Sequence, residues 1–308
     1  MSRRVVALAA PTVDETFCAL GTDVRLIATG FGARAAAAGA REAILDYHAR
    51  LSRFRPESEL SALNGDPRPV ADASPLLRSA VSAALWAAKR SGGLVDPCLL
   101  DALEAAGYAR SYQRDGPVPP PAGARLRAMP DPRRRWRAVR VDDRAGTIAR
   151  PAGLRLDLGG SGKGHVADLI ADRLRELDGW VVDCGGDIRI GGRREVEIDH
   201  PLREAPAARL VVEDRAVATS SVVSRAWTTA GGRRAHHLLD PRSGQPIWTG
   251  LLTATALAPT TLEAETLAKM ALLRGASEAR QTLAIHGGVL VHADGRVEPV
   301  GGHIEAAA

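Results

Sequence analysis

The chain has 308 residues, enough to bury a sizeable core in one large domain or two modest ones. Its 45% hydrophobic and 25% charged content are globular values that exclude a disordered chain, and no apolar run is long enough to span a bilayer. The net charge is +5, and only three of the 41 basic residues are Lys (Lys89, Lys163 and Lys269), so each Lys stands out.

Arg3 and Arg4 precede the apolar run Val5 to Ala10. That run is too short for a signal-peptide core, no convincing cleavage site follows, and Cys18 comes too early for a lipid anchor. The expectation is a cytoplasmic protein without membrane insertion, with residues 1–15 as an N-terminal extension. Cys18, Cys98 and Cys184 lie far apart, with no metal-type spacing, and read as small buried residues.

Thr22 to Ala28 alternates as a strand. Arg34 to Arg53 reads as a helix with Ile44, Tyr47, Leu51 and Phe54 on one stripe, ending at Pro56. Pro75 to Arg90 reads as a second helix, opened by Ser74 as N-cap with Pro75 in the first position and closed by Ser91-Gly92-Gly93. Residues 109–135, with Pro119-Pro120-Pro121, read as a loop. Arg133 to Arg137 reads as a solvated face rather than a nucleic-acid patch. Leu154, Leu156 and Leu158 alternate as a short strand. Val166 to Leu177 and Leu262 to Arg274 are helical. Trp180 to Cys184, Arg209 to Glu213 and Leu251 to Leu257 read as strands. Val289 to His292 and Arg296 to Val300 form a hairpin turned at Asp294-Gly295. Strands and helices mix without strict alternation, so the expected class is α+β. One domain spans 16–300, and 301–308 is a tail.

Five stretches carry candidate chemistry. Asp157 to Gly164 joins close-approach glycines to Lys163 at a helix start, a plausible phosphate cradle. It is neither a P-loop nor the dinucleotide GxGxxG. Asp168 follows on the same helix and suits a ribose or adenine amine. Gly185 and Gly186, in Asp183 to Asp187, make a turn that lets a ring or ribose approach the backbone. Thr219 and Ser220, at a strand end, offer hydroxyls and amides to phosphate oxygens. His237, ahead of the rigid turn Asp240-Pro241 to Gly244, suits proton relay to or from a hydroxyl. Glu265 and Lys269 share a helix face at i and i+4, which by itself is an ordinary ion pair.

The order of these motifs resembles the ApbE-type FAD:protein FMN transferases, from about Phe17 to Gly275. Ala19 to Thr22 is similar to the family's M-G-T start, and Ser58-Glu59-Leu60-Ser61-Ala62-Leu63-Asn64 to S-E-L-S-x-L-N. Gly93 to Cys98, with Asp96, is similar to G-x-F-D-x-T, and Asp157 to Gly164 to D-L-G-G-I-A-K-G. His237 to Gly244 is similar to H-I-I-D-P-x-T-G. The resemblance implies a single two-lobed α+β domain, related to the T-fold, with mixed sheets and flanking helices. It implies an FAD site lined by Asn64, Asp96, Lys163, Asp168, Gly185, Gly186, Thr219, Ser220 and His237. Lys163 would face the nucleotide and Asp168 the adenosine end, and the Gly160 carbonyl would help hold Mg²⁺. It implies transfer of FMN from FAD to a Thr or Ser of a redox protein with an FMN-binding domain, with AMP released and His237 as the base.

The sequence departs from the family pattern at one place. Where the family carries A-D-x-x-x-T, with Asp and Thr on the metal, this chain has Glu265 and Lys269. A carboxylate at 265 still suits Mg²⁺, but a protonated Lys269 does not ligate a cation. Its ammonium is a candidate replacement for one metal role. The same departure keeps open a non-catalytic FAD-binding protein or an FAD pyrophosphatase.

Overall fold

The computed structural model describes residues 13–110, 127–229 and 231–301, with short strands at Val5–Val6 and Glu305–Ala306. The Pro119 to Pro121 stretch and most of the expected N-terminal extension and C-terminal tail lie outside the described residues.

An eight-stranded sheet organises the fold. Its order from edge to edge is Val297–Val300, Gly288–His292, Leu251–Ala258, Ala216–Ser221, Asp187–Gly191, Gly179–Cys184, Thr22–Thr29 and Val13–Ala19. The α+β class holds. Every pairing among the described strands is antiparallel, so the sheets are wholly antiparallel where mixed ones were expected. Strand Gly179–Cys184 is buried along its whole length, because both of its faces are covered.

On one face lie the helices Ala33–Leu51, Gly162–Leu174 and Thr261–Arg274. Ile44, Tyr47 and Ile170 pack there against Leu26, Val182 and Cys184. On the other face lies a four-stranded sheet containing Arg193–Asp199 and Pro206–Glu213. Its Val196, Ile198, Leu210 and Val212 meet Ile27, Val181, Ile188 and Ile190. Alternation along each central strand thus sends one apolar set to the helices and the other to the second sheet. Val5–Val6 and Glu305–Ala306 pair into that second sheet, so strand pairing reaches past the expected 16–300 boundaries.

Helix Pro75–Arg90 has the expected limits, and the Ser74 side chain accepts from the Leu77 amide at 3.2 Å. Several expectations change. Helix Ala33–Leu51 ends before Phe54, and this releases Ser52 to Arg55 as a loop. Leu154 to Leu158 is extended but is not a strand. Its leucines are buried as the alternation required, yet at Leu156 its backbone bonds a side chain instead of a ladder partner. Asn64 Nδ2 donates to the Leu156 carbonyl at 2.8 Å, and Asn64 Oδ1 accepts from the Leu156 amide at 2.7 Å. Trp136 anchors the Arg133 to Arg137 run in the core, and Arg133 pairs with Asp131. All three cysteines are free; Cys98 and Cys184 are buried as expected, whereas Cys18 is exposed. Among the described residues no helix is long and apolar enough to cross a membrane.

Candidate active site

A cavity of 390 Å³ opens where four stretches converge. They are the loop Ser52 to Arg55, the stretch Leu94 to Leu99, the glycine turn Asp157 to Lys163, and the segment His237 to Leu239. Tyr108, Arg225 and Lys269 also stand in the wall. Of the residues expected from the sequence, Asp96, Gly160, Lys163 and His237 line this space, and so does Lys269.

The glycine turn feeds the helix Gly162–Leu174, which starts four residues earlier than its apolar stripe suggested. Glycine is required there by close packing. A Cβ on Gly164 would meet the Leu262 Cα, the Thr261 carbonyl and Glu265 Oε2, each at 2.8 Å. The helix start has no cap from its own Ser161. Instead Glu265, from helix Thr261–Arg274, accepts the Gly164 amide hydrogen at 2.9 Å. Lys163 leaves this turn toward the cavity and forms an ion pair with buried Asp187.

Glu265 is fully buried, and its other oxygen lies 2.8 Å from the Lys269 ammonium. Burial pushes its carboxyl up, and Lys269 opposes that shift. Both oxygens of Glu265 are therefore engaged. The donor set does not suit a divalent ion there, since any ion reaching Glu265 would meet an ammonium on one oxygen and an amide hydrogen on the other. Among the described residues no group of three or more His, Cys, Asp or Glu forms a metal cluster. Glu265 thus binds groups of its own chain where the resemblance implied a metal ligand.

His237 is held by a hydrogen bond to the Arg225 backbone, and its Nδ1 is buried with no hydrogen-bond partner among the described residues. Burial, with the Arg225, His236 and Lys269 charges adding to it, lowers its pKa well below 6.5. The ring is neutral at pH 7, with one lone pair uncommitted. Asp96 accepts from the Cys98 amide at 2.8 Å, and burial raises its pKa.

The aromatic wall was not read from the sequence. Arg53 bonds Asp157 at 2.6 Å and lies 4.0 Å from the Phe54 ring centre and 4.8 Å from that of Tyr108. Tyr108 stacks on Trp227 at 5.4 Å and 18°. Arg225 was also missed, because it sits between motifs and no local pattern marks it.

The remaining expected residues shape the site from outside the cavity. Asn64 holds Leu156 and through it the glycine turn. Asp168 accepts from the amides of Thr261 and Leu262 at 2.7 and 2.9 Å, so its carboxylate is used on a helix start. Gly185 and Gly186, at φ of +68° and +91°, turn the hairpin between Gly179–Cys184 and Asp187–Gly191. Thr219 and Ser220 fall in the end of strand Ala216–Ser221 as expected, but Thr219 Oγ1 shares a 2.7 Å hydrogen bond with Thr255 Oγ1.

Residues 20–291 match the model of the ApbE family. The chain belongs to the ApbE family. A FAD:protein FMN transferase of Treponema pallidum is 30% identical over 256 residues, which cover 73% of this chain and 67% of that protein. One from Klebsiella pneumoniae is 32% identical over 117 residues, only 37% of either chain. Among solved structures, an ApbE protein of Thermotoga maritima superposes with a TM-score of 0.78 at 22% identity, covering 93% of this chain and 96% of its own. The flavin transferase ApbE of Vibrio cholerae gives 0.72 at 19% identity, covering 96% and 97%. At those identities the likeness establishes the ApbE fold.

Proposed function

We propose that this chain is a FAD:protein FMN transferase, which moves the FMN half of FAD to a Thr or Ser hydroxyl of a partner redox protein and releases AMP. The observation that carries the reading is the convergence of Lys163, the glycine turn and His237 on one cavity. Membership of the ApbE family and relatives named for this activity support it.

The acceptor oxygen attacks the phosphorus on the FMN side of the diphosphate. The bond from that phosphorus to the bridging oxygen breaks, and its electron pair leaves with AMP. The hydroxyl proton passes to His237, which is neutral at pH 7 and able to take it. Little other covalent work falls to the protein, so charge neutralisation and positioning dominate. Lys163, steadied by Asp187, faces the diphosphate, and Arg225 adds charge beside His237. Phe54 and Tyr108 offer ring surface to a flat heterocycle.

AMP release tests the reading. FAD is incubated with the purified protein, with and without an FMN-binding-domain protein carrying an acceptor hydroxyl. The expected result is AMP formed in step with modified acceptor. Equal AMP release without acceptor would identify a hydrolase and overturn the proposal.

A further inference from the structure

Lys269 is the least ordinary residue of the cavity wall. Its side chain is about nine-tenths buried, yet it borders the cavity. An ammonium carries three donors. One goes to Glu265, and the structure gives Lys269 no second acceptor among the described residues. Burying a lysine–carboxylate pair costs desolvation that an apolar pair of similar size avoids. Nothing in the packing of helix Thr261–Arg274 calls for that expense, since its neighbours Ala264, Leu267, Ala268 and Leu272 form an apolar core. Glu265 is fixed from its other side by Gly164, one residue from Lys163. The pair is therefore locked to the same glycine turn that presents the first lysine.

We infer that Lys269, held by Glu265, is a built-in cation for the diphosphate of the bound dinucleotide, so that nucleotide binding here does without a divalent ion. The inference rests on the FAD reading above and names which charges of that site do the work. Lys163 and Lys269 approach from two helices, each steadied by a carboxylate behind it. Two donors on Lys269 have no acceptor among the described residues, and a ligand in the cavity would supply acceptors for them. A carboxylate already bonded by an amide and an ammonium is not free for a metal.

The test is FAD binding followed by flavin fluorescence, with excess Mg²⁺ and with excess EDTA. The wild-type chain is expected to give the same Kd in both, within about twofold, whereas a required metal would shift it by about tenfold or more. Glu265→Gln with Lys269→Met keeps an acceptor for Gly164 and leaves no unpaired buried charge. That double variant is expected to lose about tenfold or more in FAD affinity, with riboflavin, which lacks phosphates, bound as before. Equal losses for FAD and riboflavin would mean a merely structural pair and overturn the inference. Wild-type binding that needs Mg²⁺ would overturn the inference and leave the FAD reading standing. No FAD binding in either condition would remove both.

Discussion

Asp168 accepts the Leu262 amide hydrogen at 2.9 Å, and the favour is returned across the same interface. Glu265, on the helix that Asp168 caps, accepts the Gly164 amide hydrogen at 2.9 Å on the helix that bears Asp168. Two helix starts thus cap each other with carboxylates, where the helix dipoles favour negative charge. The arrangement fixes Lys163 and Lys269 relative to one another.

Asp168→Ala removes acceptors from two amides at a buried helix start. It is expected to cost about 1–2 kcal/mol of stability, the usual scale for losing an N-cap. Urea unfolding measures this. Unchanged stability with a large loss of FAD affinity would return Asp168 to direct nucleotide contact.

Gly164→Ala tests the close approach itself. The added methyl meets backbone atoms of Thr261 and Leu262 at 2.8 Å, and these cannot swing away as a side chain can. Overpacking of this kind costs about 1–3 kcal/mol. A lower melting temperature together with weaker FAD binding is expected; a variant that matches wild type in both would show that the helices separate freely.

His237 as the base predicts an acid limb in the pH profile of transfer. A base is lost on protonation, and its pKa is held well below 6.5 by burial and by Arg225. Activity should therefore stay level from about pH 8 down to about pH 6.5 and fall only below that. Arg225→Gln removes one of the charges that depress the pKa, so it should move the limb upward in pH. A wild-type limb centred at or above 6.5, or one that Arg225→Gln leaves in place, would count against this assignment.

His165 and His236 are buried neutral, each with a pKa lowered to about 4 by desolvation. His165 bonds Tyr47 at 3.2 Å and Ser79 at 3.0 Å. The unfolded chain takes protons on these rings at a higher pH than the folded one. Stability from them is complete above about pH 6.5 and is lost as the pH falls toward 4, at up to about 1.4 kcal/mol per pH unit for each ring. Denaturant midpoints between pH 7 and 4.5 measure the slope, and a flat series would mean that the rings charge inside the fold.

Local chemistry made part of this legible. Ser74 and Pro75 mark a helix start without any tertiary information, and the structure begins that helix at Pro75. Gly185-Gly186 announces a tight turn, which is what it makes. Asp96, Gly160, Lys163 and His237 came from motif order, and they meet at one cavity. What stayed hidden depends on distant partners. Leu154 to Leu158 alternates like a strand, but at Leu156 Asn64 supplies the pair of bonds that a neighbouring strand would. Asp168 and Thr219 carry groups suited to a nucleotide, and those groups are spent on Leu262 and Thr255. Tyr108 and Arg225 reach the cavity only through the tertiary fold.

The most direct test is the intact mass of an acceptor domain after incubation with FAD and this protein. Wild type should add one FMN-phosphoryl unit, and His237→Ala should lower the rate by about a hundredfold or more while still binding FAD. An acceptor of unchanged mass beside wild-type protein that demonstrably holds FAD would contradict the account.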